Sequence, residues 1–221
     1  MQDSQMLDLT DITLVCFNGV NPEMGIKALQ YSMRGIKFAK AILFTDRMPS
    51  NADSSIEVVL LSKIDFATSC IFSLKGFLPF VKTKFCLSIH DDGFVINPHL
   101  WESSFYDYDY IGAPWVVGHK HRVGNGGFCL KSKRFMELCQ EIPWHGEHDD
   151  ALTCMTYHDF FVSNGCKFAP VEIAMKFALE SKIPECEYNL DNCFGFHGKG
   201  DGDHFGGEGQ QFKDRIKLLD N

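Results

Sequence analysis

Short apolar runs alternate with stretches of helical periodicity through the first part of the chain. Ile12–Asn18 (ITLVCFN) has the unbroken apolar character of a buried strand. A turn at Asn21–Pro22–Glu23 follows, and Ile26, Leu29, Met33 and Ile36 then recur at helical spacing, which predicts a helix reaching Ala39. Ala41–Thr45 (AILFT) predicts a second strand that ends at Asp46, Met48–Ser54 a turn-rich loop, and Ile56–Leu61 a third strand. Ile64–Phe80 predicts a helix stopped near Pro79, and Phe85–Ile89 (FCLSI) a fourth strand. This order is the opening of a parallel α/β sheet. The fourth strand runs into His90–Asp91–Asp92–Gly93, so the acids stand at a strand's carboxyl end, where open α/β folds bind ligands.

The middle of the chain changes character. Trp101–Tyr110 is aromatic and acidic, Pro114 imposes a bend, and Val123–Cys129 (VGNGGFC) carries glycines suited to tight turns or close approach of backbone to a ligand. Ser132 reads as the cap of a short helix carrying Phe135, Leu138 and Cys139. A further helix starts near Asp149–Asp150, with Ala151, Cys154, Met155, His158, Phe161 and Val162 as its inward stripe. Both acids then occupy its first turn, where negative charge is favoured. Asn164–Gly165 is a helix stop, and Phe168–Phe177 returns to apolar structure. Gly198–Gly209 holds six glycines in twelve residues and predicts a mobile flap or linker. Phe212, Ile216 and Leu219 predict a last amphipathic helix.

Bulk properties narrow the function. The 221 residues, 45% of them hydrophobic and 20 of them Phe, suffice for one domain with a substantial core. A net charge of -8 without a long basic run argues against nucleic acid as a partner. The short basic patches Lys82–Lys84 and Lys131–Arg134 could meet a diphosphate, and otherwise read as solvated surface. Met1–Asp11 lacks the basic start of a signal peptide, and no run approaches the ~20 apolar residues of a transmembrane helix. Nine cysteines, an odd number without a CxxC pair, read mostly as buried free thiols, with a cytoplasmic location as the expectation. No phosphate-binding loop and no dinucleotide fingerprint follows the first strand, which removes ordinary ATPases and nicotinamide dehydrogenases.

The residues best suited to chemistry are His90, Asp91, Asp92, Asp149, Asp150 and His197. Acids clustered at one strand end repel each other unless a cation joins them, and a divalent ion held by carboxylate and imidazole would neutralise a diphosphate leaving group. The competing reading is an Asp-rich turn in water. Asp149 or Asp150 at a helix mouth suits a general base, a group for sugar hydroxyls, or a plain helix cap. Asn125, Gly126 and Gly127 could present backbone donors to a sugar or phosphate.

The segments DGFVINP (from Asp92), Trp101, DYIGAPW (from Asp109) and VGNGGF (from Val123) follow one another in an order that resembles a small family of glycosyltransferase-like proteins. His148–Asp150 resembles that family's acidic pair, and Lys167–Glu180 and Phe194–His197 (FGFH) its closing segments, so the resemblance covers roughly residues 12–198. It implies the GT-A fold of nucleotide-sugar glycosyltransferases: a three-layer α/β/α sandwich on a central, mostly parallel mixed sheet. It implies one domain over 1–221, with a nucleotide-binding half at about 11–97, an acceptor and catalytic half at about 98–198, and the flexible segment 198–209. The metal motif usual in such folds is Asp-x-Asp. Here its register falls on His90-x-Asp92, with Asp91 between, and His197 matches the C-terminal histidine that many members add to the metal shell. The resemblance thus implies Mn²⁺ or Mg²⁺ at Asp92, His197 and His90 (or Asp91). It implies nucleotide contacts by Cys16, Phe17, Asn18, Asp46 and Asp91, a diphosphate contact by Lys199, and a sugar-facing role for Asn125, Gly126 and Gly127. Asp150 or Asp149 would deprotonate the acceptor.

The implied activity is metal-dependent transfer of a sugar from a nucleotide-diphosphate donor, with UDP favoured, to a hydroxyl of a carbohydrate or glycoconjugate acceptor, as in surface-polysaccharide synthesis. Inversion and retention both stay open, and the helix-mouth carboxylate favours inversion. The alternatives are a metal-dependent nucleotidyltransferase or diphosphate hydrolase, and a non-catalytic nucleotide-sugar-binding domain. Oligomeric state is left open.

Overall fold

The structure, a computed structural model, describes residues 6–62, 64–116 and 118–220. The outermost residues of the expected 1–221 domain, and the first five of the stretch read as lacking a basic leader, lie outside the described residues. The chain forms a six-stranded sheet of β1 (Leu7–Phe17), β2 (Ile36–Thr45), β3 (Glu57–Leu60), β4 (Phe85–Ile89), β5 (Tyr110–Gly112) and β6 (Cys129–Ser132), in the order β3-β2-β1-β4-β6-β5. The first four in that order pair in parallel, while β6 runs antiparallel to both β4 and β5. The sheet is therefore mixed and mostly parallel, the α/β class expected.

The chain moves outward from β1 to β2 and β3, then returns to place β4 on β1's other side. That reversal opens a crevice at the carboxyl ends of β1 and β4, and the acidic turn follows β4 directly.

Alternation along β1 divides the two faces. Leu14 and Cys16 join Ile26 and Leu29 of α1 (Pro22–Ser32), while Val15 and Phe17 join Phe44, Phe77 and Val81 on the opposite face. Helices thus cover both sides of the sheet. Phe44 is fully buried, and such burial stabilises by roughly 1.5–3 kcal/mol. A third cluster, around Tyr110, Cys129, Phe135, Leu152 and Phe161, lies under α3 (Lys133–Leu138), α4 (Asp149–Ala151) and α5 (His158–Ser163).

Three local differences from the sequence reading have physical causes. The first helix stops at Ser32 rather than Ala39, because Gly35 takes φ 72° and turns the chain directly into β2. The helix expected over Ile64–Phe80 is α2 (Phe66–Ile71), capped by Asp65, continuing into a wider π turn at Phe72–Gly76. A second π turn, Leu152–Thr156, links α4 to α5 and rotates the inward stripe, so Leu152 and Thr153 are buried while Val162 is 47% exposed.

The closing part contains α6 (Val171–Phe177), β7 (Ala178–Leu179), β8 (Gly195–Phe196) and α7 (Gln210–Ile216). β7 and β8 form a small parallel pair, and Val95, just after the acidic turn, bridges to Gly195. In the glycine-rich stretch 198–209, Phe205 is buried and packs on Phe212, and His204 O accepts from Lys182 N. All nine cysteines are free, and eight of them are buried. Among the described residues no helix is long and apolar enough to cross a membrane.

Candidate active site

β4 delivers the acidic turn. His90 N donates to Gly93 O at 2.9 Å and Gly93 N donates to His90 O at 3.2 Å, which leaves Asp91 and Asp92 at the two corners of a tight turn. The C-terminal segment then closes over that turn. Gly198 N donates to Asp92 O at 2.7 Å, and His197 Nε2 lies 3.6 Å from Asp92 Oδ1. The His90 and His197 rings meet edge to face with centroids 5.5 Å apart. One ligand atom from each of His90, Asp92 and His197 falls within 4.8 Å of the others, so these three could hold a metal ion.

His197 is fixed from behind. Its Nδ1 lies 3.0 Å from Glu180 Oε1, leaving Nε2 toward Asp92. A carboxylate behind a ligating imidazole fixes its tautomer and orientation. The β7–β8 pairing supplies this contact, because matching Leu179 to Phe196 places the next residues, Glu180 and His197, side by side. Gly127 lies on the ring's other side, where a Cβ would fall 2.0 Å from His197 Nε2.

The charges support a cation at this place. Burial, reinforced by repulsion from His197, pushes His90 down to about 4, which keeps its imidazole neutral at neutral pH. Burial and the neighbouring Asp92 carboxylate push Asp91 above the usual carboxylate range. Burial opposes a charge on His197, but the hydrogen bond and charge of Glu180, with Asp92 and Asp150, carry it above the ordinary histidine value. Two imidazoles and a carboxylate form a donor set that fits a divalent transition metal.

A cavity of about 450 Å³ adjoins the cluster. Its walls include Phe17 and Asn18 at the end of β1, Phe66 and Ser69 of α2, His90 and Asp91, Asp149, and Lys199. Of the expected nucleotide contacts, Phe17, Asn18, Asp91 and Lys199 line this space. Cys16 does not: its side chain is fully buried in the core beneath α1. Asp46 is exposed at the end of β2 and does not contribute to the wall.

The VGNGGF segment lies against the cluster through Gly127, and Asn125, Gly126 and Gly127 are not among the residues that wall the cavity. Asn125 takes φ 73°, and its Oδ1 accepts from Gly127 N at 2.9 Å, so the loop is held by its own side chain. Asn125 Nδ2 is buried with no hydrogen-bond partner among the described residues. Gly126 N donates to Asp150 Oδ2 at 3.0 Å, tying the loop to the mouth of α4. The two helix-mouth acids have different surroundings. Asp149 lies 3.5 Å from Lys131 Nζ, and burial raises its pKa against the pull of that lysine. Lys131, read from sequence as part of a solvated patch, is only 4% exposed, because β6 is an interior strand between β4 and β5. Glu180 and Lys131, each engaged with a candidate site residue, were not identified as site residues by the sequence reading.

A family described as a protein of unknown function (DUF5672) matches residues 60–197, more than half of the chain. The chain belongs to this family. The match spans the acidic turn, the glycine loop, the helix-mouth acids and His197. No curated protein matches the chain. Among solved structures it is similar to a glycosyltransferase involved in the glycosylation of the major capsid of PBCV-1, with a TM-score of 0.52, 11% identity, and coverage of 94% of this chain and 98% of that one. It is also similar to the galactosyltransferase LgtC in complex with donor and acceptor sugar analogs, with a TM-score of 0.50, 11% identity, and coverage of 95% of this chain and 96% of that one. The fold is thus the GT-A-like sandwich, shared over nearly the whole chain. Identities this low carry the fold and not the residues, so the site stands on its own geometry.

Proposed function

We propose that the protein is a metal-dependent glycosyltransferase that moves a sugar from a nucleotide-diphosphate donor, UDP-linked by preference, to a hydroxyl of a carbohydrate or glycoconjugate acceptor. The observation that carries this reading is the convergence of His90, Asp92 and His197 beside a cavity at the switch point of the sheet. Asp92, His90 and His197 would hold the ion, with Mn²⁺ favoured over Mg²⁺ because two of the three donors are imidazole nitrogens. Such an ion supplies charge neutralisation for a departing diphosphate.

The chain's own residues account for the remainder. Asn18 and Phe17 flank the nucleotide, and the exposed ammonium of Lys199 on the cavity wall meets the diphosphate. Asn125 Nδ2, a buried donor with no acceptor among the described residues, donates to a sugar oxygen, since a buried unsatisfied amide costs about 1–3 kcal/mol. Asp150 is the base rather than Asp149. Its two oxygens accept only from backbone, Oδ2 from Gly126 N and Oδ1 from Ala151 N, whereas Asp149 is engaged by the Lys131 ammonium. Asp150 takes the acceptor hydroxyl's proton as that oxygen attacks the sugar, which corresponds to inversion.

The test is a donor screen. The protein is incubated with a panel of nucleotide sugars, Mn²⁺ and simple glycan acceptors, and nucleotide release and glycosylated product are both measured. Release from one donor, with stoichiometric product, is expected. Release of a nucleoside monophosphate, or hydrolysis independent of any acceptor, would point to a diphosphate hydrolase instead. Asp92→Asn should abolish metal-dependent nucleotide binding, and unchanged binding would remove Asp92 from the metal site.

A further inference from the structure

A second group of metal-ligating side chains lies away from the cavity, where the 114–123 connection between β5 and β6 meets α5. Pro114 bridges to Val123 and Trp115 N donates to Arg122 O at 2.7 Å, so the two ends of this extension pair with each other and His121 adjoins the pairing. His121 stacks on His158 at the start of α5 with ring centroids 3.4 Å apart, and His158 stacks in turn on Phe168. One ligand atom from each of His121, His158 and Asp159 lies within 4.8 Å of the others. His121 Nε2 is enclosed and has no hydrogen-bond partner among the described residues, and Asp159 Oδ1 stands 3.8 Å from it, beyond hydrogen-bond reach.

We propose that His121, His158 and Asp159 form a second divalent-cation site, for Zn²⁺ or a similar borderline ion, that clamps the 114–123 extension to α5. Two imidazoles and one carboxylate match the zinc donor set, with water as the fourth ligand. An enclosed ring nitrogen without a partner is a cost that an ion removes. A tetrahedral site with bonds of about 2.0–2.1 Å brings ligand atoms to about 3.3 Å from each other. The carboxylate of Asp159, 76% exposed and already 3.4 Å from His158 Nδ1, would shift toward the ion, and the two rings would tilt from their parallel stack. Lys120 Nζ, which now sits 3.1 Å from Asp159 Oδ2, is an exposed partner that a divalent ion displaces at little cost. The extension leads directly into Val123–Phe128, so a clamp here steadies the glycine loop of the main site from a distance. The ion would be structural, and the proposal does not depend on the transferase reading.

The experiment uses the full chain stripped of metal with a chelator and titrated with Zn²⁺ alone, with stoichiometry measured after desalting and affinity by calorimetry. The wild type is expected to hold two equivalents, one of them lost in Asp92→Asn and the other in His121→Gln or His158→Gln. Asp159→Asn, at an exposed position that leaves the ring stack intact, should lower the affinity of the second equivalent at least tenfold. Zn²⁺ should also raise the melting temperature of Asp92→Asn but not that of Asp92→Asn combined with His121→Gln. A wild type that binds one equivalent, lost in Asp92→Asn, would overturn the proposal. Retention of both equivalents in His121→Gln, or unchanged affinity in Asp159→Asn, would overturn it as well, leaving an aromatic stack with no ion.

Discussion

Gly127→Ala isolates the geometry of the metal cluster without touching a ligand. A Cβ at this position would lie 2.0 Å from His197 Nε2 and 2.2 Å from its Cδ2, where real Cβ contacts need more than 3.0 Å. The ring must therefore retreat by about 1 Å or more. It cannot do so freely, because Nδ1 is held 3.0 Å from Glu180 Oε1 and the backbone N of His197 donates to Leu179 O at 3.1 Å. Any retreat that clears the methyl group breaks the Glu180 contact or moves Nε2 off the line to Asp92. Losing the orienting partner of a ligating histidine costs about 10–100-fold in metal affinity, equivalent to about 1.4–2.8 kcal/mol. The assay is calorimetric titration of wild type and Gly127→Ala with Mn²⁺ in the presence of UDP. Far-UV circular dichroism and thermal melting establish that the variant is folded. A folded Gly127→Ala with wild-type Mn²⁺ affinity would refute the reasoning, because His197 could not then be both a ligand and confined by Gly127.

Three further outcomes follow from the same geometry. Glu180→Gln keeps a hydrogen-bond acceptor at its carbonyl but removes the charge, and should lower Mn²⁺ affinity by about 10-fold, the lower end of the range for such partners, while Glu180→Ala should approach 100-fold; equal affinities in a calorimetric comparison would show that Glu180 does not orient His197. Lys131→Met strips the partner from a largely buried Asp149, and breaking such a pair costs about 3 kcal/mol, so a thermal melt should fall by about 6–12 °C and Asp149→Asn in the same chain should restore part of the loss. Burial raises the thiol pKa at every buried cysteine, with Cys129 and Cys166 each pushed up to about 11, so a thiol reagent at neutral pH should label the half-buried Cys186 first and the others only on unfolding; rapid labelling of two or more thiols in the native protein would contradict the packing.

The parallel half of the sheet was legible because its signals are local. The apolar run Phe85–Ile89 coincides with β4, and the runs Ile12–Asn18 and Ala41–Thr45 mark the carboxyl-terminal halves of β1 and β2, where side chains face packed layers on both sides and need no polar alternation; the more polar first halves of both strands, Leu7–Asp11 and Ile36–Lys40, were not read as strand. Ser132 was legible as a cap for the same reason: its hydroxyl accepts from Phe135 N at 3.0 Å, three residues on. The antiparallel pair β5–β6 was not legible. Tyr110–Gly112 and Cys129–Ser132 are too short to show a period, and one holds a glycine and the other a lysine. Their strand character comes from pairing with each other and with β4, a tertiary cause.

The site divides along the same line. Asp91 and Asp92 could be placed because they follow a recognisable strand, and Asp149 and Asp150 because they open a helix. Lys131 could not, because Lys131–Arg134 has the composition of a surface patch and only the insertion of β6 between β4 and β5 buries its first member. Glu180 depends on contact across 17 residues, created by two strands of two residues each. One signal did exist. FALE at Phe177–Glu180 and FGFH at Phe194–His197 are both short apolar runs that end in one polar residue. If such runs pair in parallel and in register, their terminal polar residues must become neighbours, because lateral pairing matches equivalent positions. The observed match of Leu179 with Phe196 meets that condition, so the acid and the imidazole that share a hydrogen bond are the two residues at which the paired runs leave the core. The polar contact at the metal cluster is therefore a consequence of how two hydrophobic segments pack. A substitution that shifts β8 by one residue would uncouple Glu180 from His197 while leaving both in the sequence.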